Sequence, residues 1–269
     1  MKKISIEKSI RAIVGVAVET FASTFSERHI SELNDPYGTI NMKIHNIFIS
    51  VLGDEIQYYT ALVRSLDSSL GNMLESMAMK IAELSFEVHN NVEGYLTLSQ
   101  TQKIAELLEN YKRRTKKPSI EDYLFLKSET EIDDKRLKRH DSDYYLIDKK
   151  KNTHYLIELK IGGDLDNKKA RSEKEAILEQ YAILSNTLPQ NQNIKCFFAT
   201  AYNRFGEDKE WKQERVRQFF ADKELLIGKD FWNFICNLSN GYDIVIDEYK
   251  KKSHLIINSL NLIKQTYLQ

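Results

Sequence analysis

Along the first hundred or so residues the apolar positions recur at intervals of three and four, the spacing that gathers side chains on one face of an α-helix. Ile6, Ile10, Ile13, Ala17 and Phe21 mark out a first amphipathic helix. Asn34-Asp35-Pro36-Tyr37-Gly38 is rich in turn formers and interrupts it. Helical periodicity resumes from about Met42 to Leu52 and from Ile56 to Leu66. It is most regular between Leu70 and Val88, where Leu70, Met73, Leu74, Met77, Ile81, Leu84 and Val88 share a face. A further helix is expected from about Ser99 to Lys112, with Ser99 as its cap and Gln102 three residues on.

The pattern then changes. Tyr144-Tyr145-Leu146-Ile147 and Thr153 to Ile161 are short apolar runs separated by the polar Asp148-Lys149-Lys150-Lys151-Asn152, which reads as a β-hairpin. Gly162-Gly163 ends the second strand, and a helix is expected from about Asp166 to Leu184. Ile194 to Tyr202 has the composition of a buried strand. Helices are expected around Lys209 to Phe220, from Asp230 to Leu238, and from about His254 onward. The order strand, strand, helix, strand predicts an α/β fold, a mixed central sheet flanked by helices, with a mostly helical N-terminal region. The expected division is residues 1–115, including the helix near 70–88, and residues 116–269.

Composition changes this picture little. The 269 residues are 42% hydrophobic and 29% charged, proportions of an ordinary globular chain. Cys196 and Cys236 have no metal or redox spacing, which suits a reducing cytoplasm. The run from Ala12 to Val18 is short and bracketed by Glu7, Arg11 and Glu19, so it reads as helix rather than signal peptide. No stretch approaches the roughly twenty apolar residues of a membrane span. The formal charge is zero, from 39 basic and 39 acidic residues, yet the basic ones cluster at 112–117, 135–139 and 168–171. Such clusters can meet phosphate although the sum is neutral.

The chemistry centres on Asp143, followed fifteen residues later by Glu158-Leu159-Lys160. Residues two apart on a strand point to one side, so Glu158 and Lys160 share a face. A hairpin turning at Lys150 and Lys151 sets residue 143 opposite 158. Two carboxylates brought together in a sheet are costly without a cation, and all-oxygen ligation suits Mg²⁺, with Mn²⁺ as a substitute. Asp143, Glu158 and the carbonyl of Leu159 are the candidate ligands, and Lys160 the group that positions water or offsets charge on a phosphate. Asp141 has the same strand parity and competes for the Asp143 role, although this register sets it opposite Lys160. Asp148, in the turn, is expected to be solvated. The six histidines form no His-x-x-His or His-Asn-His arrangement, and His140 and His154 read as structural or surface residues.

These residues resemble the PD-(D/E)XK nucleases, to which many type II restriction endonucleases belong. The Pro of the motif is absent, since Ser142 precedes Asp143. The resemblance implies a restriction-endonuclease-like core and hydrolysis of double-stranded DNA. Gly71 and Glu75 look like a Gly and Glu that such enzymes carry on a preceding helix, which makes Glu75 a catalytic candidate beside its reading as an exposed helix residue. More narrowly, the stretch from His140 to Leu184 is similar to the TdeIII-like restriction endonucleases, associated with GGNCC. Such an enzyme implies a homodimer on a palindromic target and a cognate DNA methyltransferase.

Gly162-Gly163 leads into Lys168, Lys169, Arg171 and Lys174, which crowd a helix start and are expected to contact DNA phosphate. Asn203 and Arg204, after the last core strand, are candidate base readers. Two other readings stay open: a repair or recombination nuclease with the same centre, and a catalytically silent DNA-binding protein of the same fold.

Overall fold

A computed structural model describes residues 2–126, 135–189 and 191–268, without the side chains of 2–4, 135–136 and 140–143. Its contacts divide the chain into two compact units, residues 1–81 with 243–269, and residues 82–242. The division expected at residue 115 therefore falls elsewhere, because the segment from 82 joins the sheet and the last helix joins the first ones.

The helical unit is built from α1 (Lys2–Ser31), α3 (Asp54–Ala82) and α8 (Gly241–Tyr267), with a 3-10 turn at Asn41–His45 and the short α2 at Ile47–Ser50. Val18, Phe21, Ala22 and Phe25 of α1 pack with Tyr58, Ala61, Leu62 and Met73 of α3 and with Ile256 and Ile263 of α8. The buried stripe of α1 runs through Ile10, Val14, Val18 and Ala22, so it is rotated from the expected face, and Ile13 and Ala17 flank it. The two helices expected at 56–66 and 70–88 are one continuous helix that ends at Ala82, and Leu84 beyond it is exposed. The last helix begins at Gly241, thirteen residues before the expected start at His254.

Among its described residues the second unit holds a five-stranded sheet in the order β1-β2-β3-β4-β5. β1 (Glu87–Thr97), β2 (Lys135–Asp148) and β3 (Thr153–Leu159) are antiparallel neighbours. β4 (Asn193–Thr200) runs parallel to β3, and β5 (Leu225–Ile227) parallel to β4. The β3–β4 connection passes through α5 (Asn167–Thr187), the crossover that a parallel pair requires. α4 (Leu98–Arg113) and α5 cover one face of the sheet, burying Ile104, Leu107, Leu108, Ile177, Leu178 and Tyr181 with Val92, Leu96, Leu156 and Phe198. The expected α/β class holds. Among the described residues no helix is long and apolar enough to cross a membrane.

Several local expectations change. β1 was not expected; its burial alternates only from Val92 to Leu96. Gly94 is where α5 crosses it, and a β-carbon there would meet Ile183 Cγ2 at 2.8 Å. α4 is capped by Thr97 rather than Ser99. The last residue of β1 keeps extended dihedrals, and its hydroxyl accepts from Gln100 N at 3.2 Å while the Gln100 side chain accepts from Thr97 N at 3.1 Å. Of the helix expected over 209–220, only α6 (Glu214–Arg217) forms. α7 (Lys229–Cys236) ends at Asn237, whose left-handed dihedrals stop it. Asp148 is buried rather than solvated, because Oδ1 accepts from Lys150 N at 3.0 Å and Lys151 N at 3.1 Å to close the hairpin. Burial pushes its pKa up, but these hydrogen bonds and the Lys151 charge outweigh it, and the carboxyl is held below its ordinary range.

Candidate active site

All seven residues of β3 are buried, so the strand is covered on both faces. Leu156 points into the core under α4 and α5, and by strand alternation Glu158 shares that side, at the edge of the core. Glu158 is 7% exposed. Lys160 lies one residue past the strand, yet its N–H donates to Ala199 O at 2.9 Å and Ala201 N donates to Ile161 O at 3.0 Å. These two bonds extend the parallel ladder, so the alternation continues to Lys160. Its ammonium donates to Glu158 Oε1 at 2.6 Å.

The same ammonium lies 3.4 Å from Glu173 Oε1 on α5. Sequence reasoning missed Glu173 as a site residue, although a signal was present. Ala170 and Ile177 fix the buried face of α5, and 173 lies three residues after one and four before the other. One cation thus stands between a strand carboxylate and a helix carboxylate.

Asp143 lies on β2, and its side chain is outside the described residues, as is that of Asp141. The β2–β3 pairs run from Asp148 with Thr153 to Tyr144 with Ile157. Continued by one residue, that register sets 143 across from 158. Where β2 pairs with β1, the register shifts between His89 and Asn91, and Asp141 is paired with Asn91. A shift of this kind twists a strand locally and re-aims its side chains. Leu159 has a buried side chain, and its register partner is Ala199.

After Lys160 the chain turns sharply against the end of β4. Gly163 has φ +62°, and a β-carbon there would stand 2.7 Å from Thr200 Cγ2, so only glycine fits. The loops after β3 and β4 are clipped together by Arg204 Nη1 and Asp164 Oδ1 at 2.6 Å, with Gln213 Nε2 donating to the same oxygen at 3.1 Å. The Arg204 hydrogen bond holds the Asp164 carboxyl below its usual range. Asn203 is buried, and its side chain organises this loop rather than facing outward: Nδ2 donates to Lys209 O at 2.7 Å, and Oδ1 accepts from Phe205 N at 3.0 Å. The expectation that Asn203 reads bases is corrected accordingly, while Arg204 remains exposed beside Asp164.

Asp166 caps α5, accepting from Lys169 N at 2.8 Å. Lys168 and Lys169 are exposed in the first turn, and Arg171 is half-buried. Lys174 is different. It is wholly buried and paired with Glu224 at 2.5 Å, so the DNA contact expected of it does not fit. Glu75 lies half-buried on α3 in the helical unit, whereas Glu158, Lys160 and Glu173 belong to the sheet unit.

Among the described side chains no group of three or more His, Cys, Asp and Glu forms a ready metal cluster. The oxygen donors at the end of β3 nevertheless suit a hard divalent cation. Glu158 is a nearly buried carboxylate already balanced by a cation, and the register, if continued by one residue, would set Asp143 across from it.

Comparison with the curated proteins and with the solved structures gives no match. The family model of the type II restriction endonuclease HinfI matches residues 6–253, a span that includes every residue of this site. That match covers nearly the whole chain and agrees with a nuclease-like sheet carrying Glu158 and Lys160 at the end of its central strand: the chain belongs to the HinfI family of type II restriction endonucleases.

Proposed function

We propose that the chain is a Mg²⁺-dependent, site-specific deoxyribonuclease of the PD-(D/E)XK kind, with Asp143, Glu158 and Lys160 at its centre. The observation that carries this reading is the Lys160 ammonium, held 2.6 Å from a buried Glu158 where β3 ends. A buried carboxylate is expensive at the end of a sheet strand even with a half-exposed ammonium beside it, and a role in catalysis accounts for both. Asp143 and Glu158, helped by the carbonyl of Leu159, would hold the ion. When bound, Mg²⁺, or Mn²⁺ in its place, supplies a Lewis acid for the phosphoryl oxygen and lowers the pKa of a water.

The chain's own groups do the rest. Lys160 places a positive charge where negative charge grows on the phosphate, or orients the attacking water. Glu173 keeps that ammonium in place when Glu158 turns to the ion. Lys168, Lys169 and Arg171 line the approach at the start of α5 as phosphate contacts, and Arg204, on releasing Asp164, is free to contact DNA. Glu75 is retained as a candidate for the site on the resemblance alone.

A homodimer on a two-fold target, pairing with a cognate DNA methyltransferase, and a cytoplasmic location complete the reading. The TdeIII-like resemblance points to GGNCC, whereas the matching family model is that of HinfI, so the target is a matter for experiment. Unmethylated plasmid incubated with the protein and Mg²⁺ is expected to give discrete fragments whose sequenced ends share a motif, and none in EDTA. A Mg²⁺-dependent smear would mean a repair or structure-selective nuclease. No cleavage with any divalent metal would mean a silent DNA-binding protein.

A further inference from the structure

We propose that the helical unit contains a second phosphate-binding site, a cleft that takes the backbone of double-stranded DNA. The proposal rests on the nuclease reading for the identity of the ligand. The cleft, of about 490 Å³, is lined by Arg28 of α1, Lys43 of the Asn41–His45 turn and Arg64 of α3, with Ser65, Ser68 and Ser69 among its walls. No carboxylate lines it. Among the described residues none of the three cations is ion-paired.

The contrast with the cleft at the end of α4 makes the point. That one holds Arg114, Lys116, Lys117 and Arg217, but Glu214 and Asp222 also line it. Lys116 there is paired with Asp122, and Arg217 lies 3.8 Å from Glu210 and 3.7 Å from Asp222. Part of its charge is therefore compensated within the protein. Three cations on three separate segments with no counter-ion repel one another, and an anion relieves that repulsion.

The cleft is also built rather than incidental. Arg28 Nη2 donates to Ser65 Oγ at 2.6 Å and lies 3.1 Å from His29 Nε2, which is itself 3.0 Å from Ser65 Oγ. His29 is completely buried, and burial together with the Arg28 charge pushes its pKa down, so the ring is a neutral acceptor that anchors Arg28 and Ser65. The neighbouring carboxylate, Glu32, faces Thr39 N at 2.7 Å and His29 Nδ1 at 3.8 Å. An anchored guanidinium flanked by hydroxyl donors is the chemistry that recognises a phosphate diester.

The test measures DNA binding by the full chain in EDTA, where nothing is cut, across a range of salt. Lys43→Ala/Arg64→Ala is expected to weaken binding about tenfold near 0.1 M salt and to make the salt dependence shallower, by roughly 0.9 per lost phosphate contact. Arg64→Lys should keep most of the affinity, and Lys250→Ala, an exposed cation on α8, all of it. If the double variant unfolds, Arg64→Gln alone carries the same expectation at about half the effect in the salt slope. Unchanged affinity and slope in a folded variant, with wild type binding normally, overturns the cleft and leaves the nuclease reading intact. Inorganic pyrophosphate bound by the wild type but not the double variant, with DNA affinity equal in both, overturns it in favour of a small free phosphate. Wild type that binds no DNA overturns both.

Discussion

Lys160→Ala is expected to lower the cleavage rate by about 10²–10³-fold or more while leaving DNA binding within a few-fold of wild type. The side chain is 31% exposed, so its removal opens no core cavity and the fold should survive. What is lost is the one cation between Glu158 and Glu173, at 2.6 and 3.4 Å. Two carboxylates then lose the ammonium between them, and the charge that grows on the phosphate loses the cation nearest to Glu158 among the described residues. Arginine at this position keeps the charge but spreads it over a planar fork, so Lys160→Arg should recover only part of the rate. Single-turnover cleavage alongside a binding measurement separates the two effects. Equal losses of both would mean that Lys160 holds the fold or the DNA rather than the chemistry.

The largest stability effect is expected at Glu224. Lys174 and Glu224 are 0% and 1% exposed, and their 2.5 Å pair is joined by Tyr123, whose hydroxyl lies 3.1 Å from Lys174 Nζ and 2.5 Å from Glu224 Oε1. Burial pushes the Tyr123 hydroxyl well above its ordinary pKa, so it remains a neutral partner. The ammonium also sits 4.7 Å from the Tyr123 ring centre and 5.1 Å from that of Phe220. Glu224→Ala strands this ammonium without a counter-charge, at a cost of about 3–5 kcal/mol. A domain is stable by only about 5–15 kcal/mol, so the midpoint of urea unfolding should fall steeply. Replacing both partners, Lys174→Met with Glu224→Leu, should restore most of the loss, because neither buried charge then remains. A loss below about 1 kcal/mol in Glu224→Ala would show that this pair is not the buried anchor described.

That pair also shows where the sequence was readable and where it was not. Lys168, Lys169, Arg171 and Lys174 look alike as a basic run, and composition alone assigns them one role. Helical phase separates them: 174 lies four residues after Ala170 and three before Ile177, on the buried side. Its partner, fifty residues on, had no local signature. The hairpin and the Glu158–Lys160 alternation were readable because period-two patterning is local and the turn length sets the register. β1 escaped notice because its first half alternates poorly and its second half, from Asn91, pairs with the polar start of β2. The return of α8 to the helical unit depends on packing between segments more than two hundred residues apart, to which local periodicity is blind. Asn203 illustrates the opposite error. An Asn in a loop reads equally as a base contact or a turn former, and here its side chain is committed to the turn.

On the proposed reading Glu158 and Asp143 would hold a divalent ion that supplies Lewis-acid chemistry at the phosphate. The most direct measurement compares the Mg²⁺ dependence of plasmid cleavage for wild type, Asp143→Asn and Asp141→Asn. The register predicts that Asp143→Asn loses cleavage by about 10²-fold or more even at saturating Mg²⁺, while Asp141→Asn keeps most of it. Cleavage by Asp143→Asn at the wild-type rate, with the loss appearing instead in Asp141→Asn or in neither, would contradict the account.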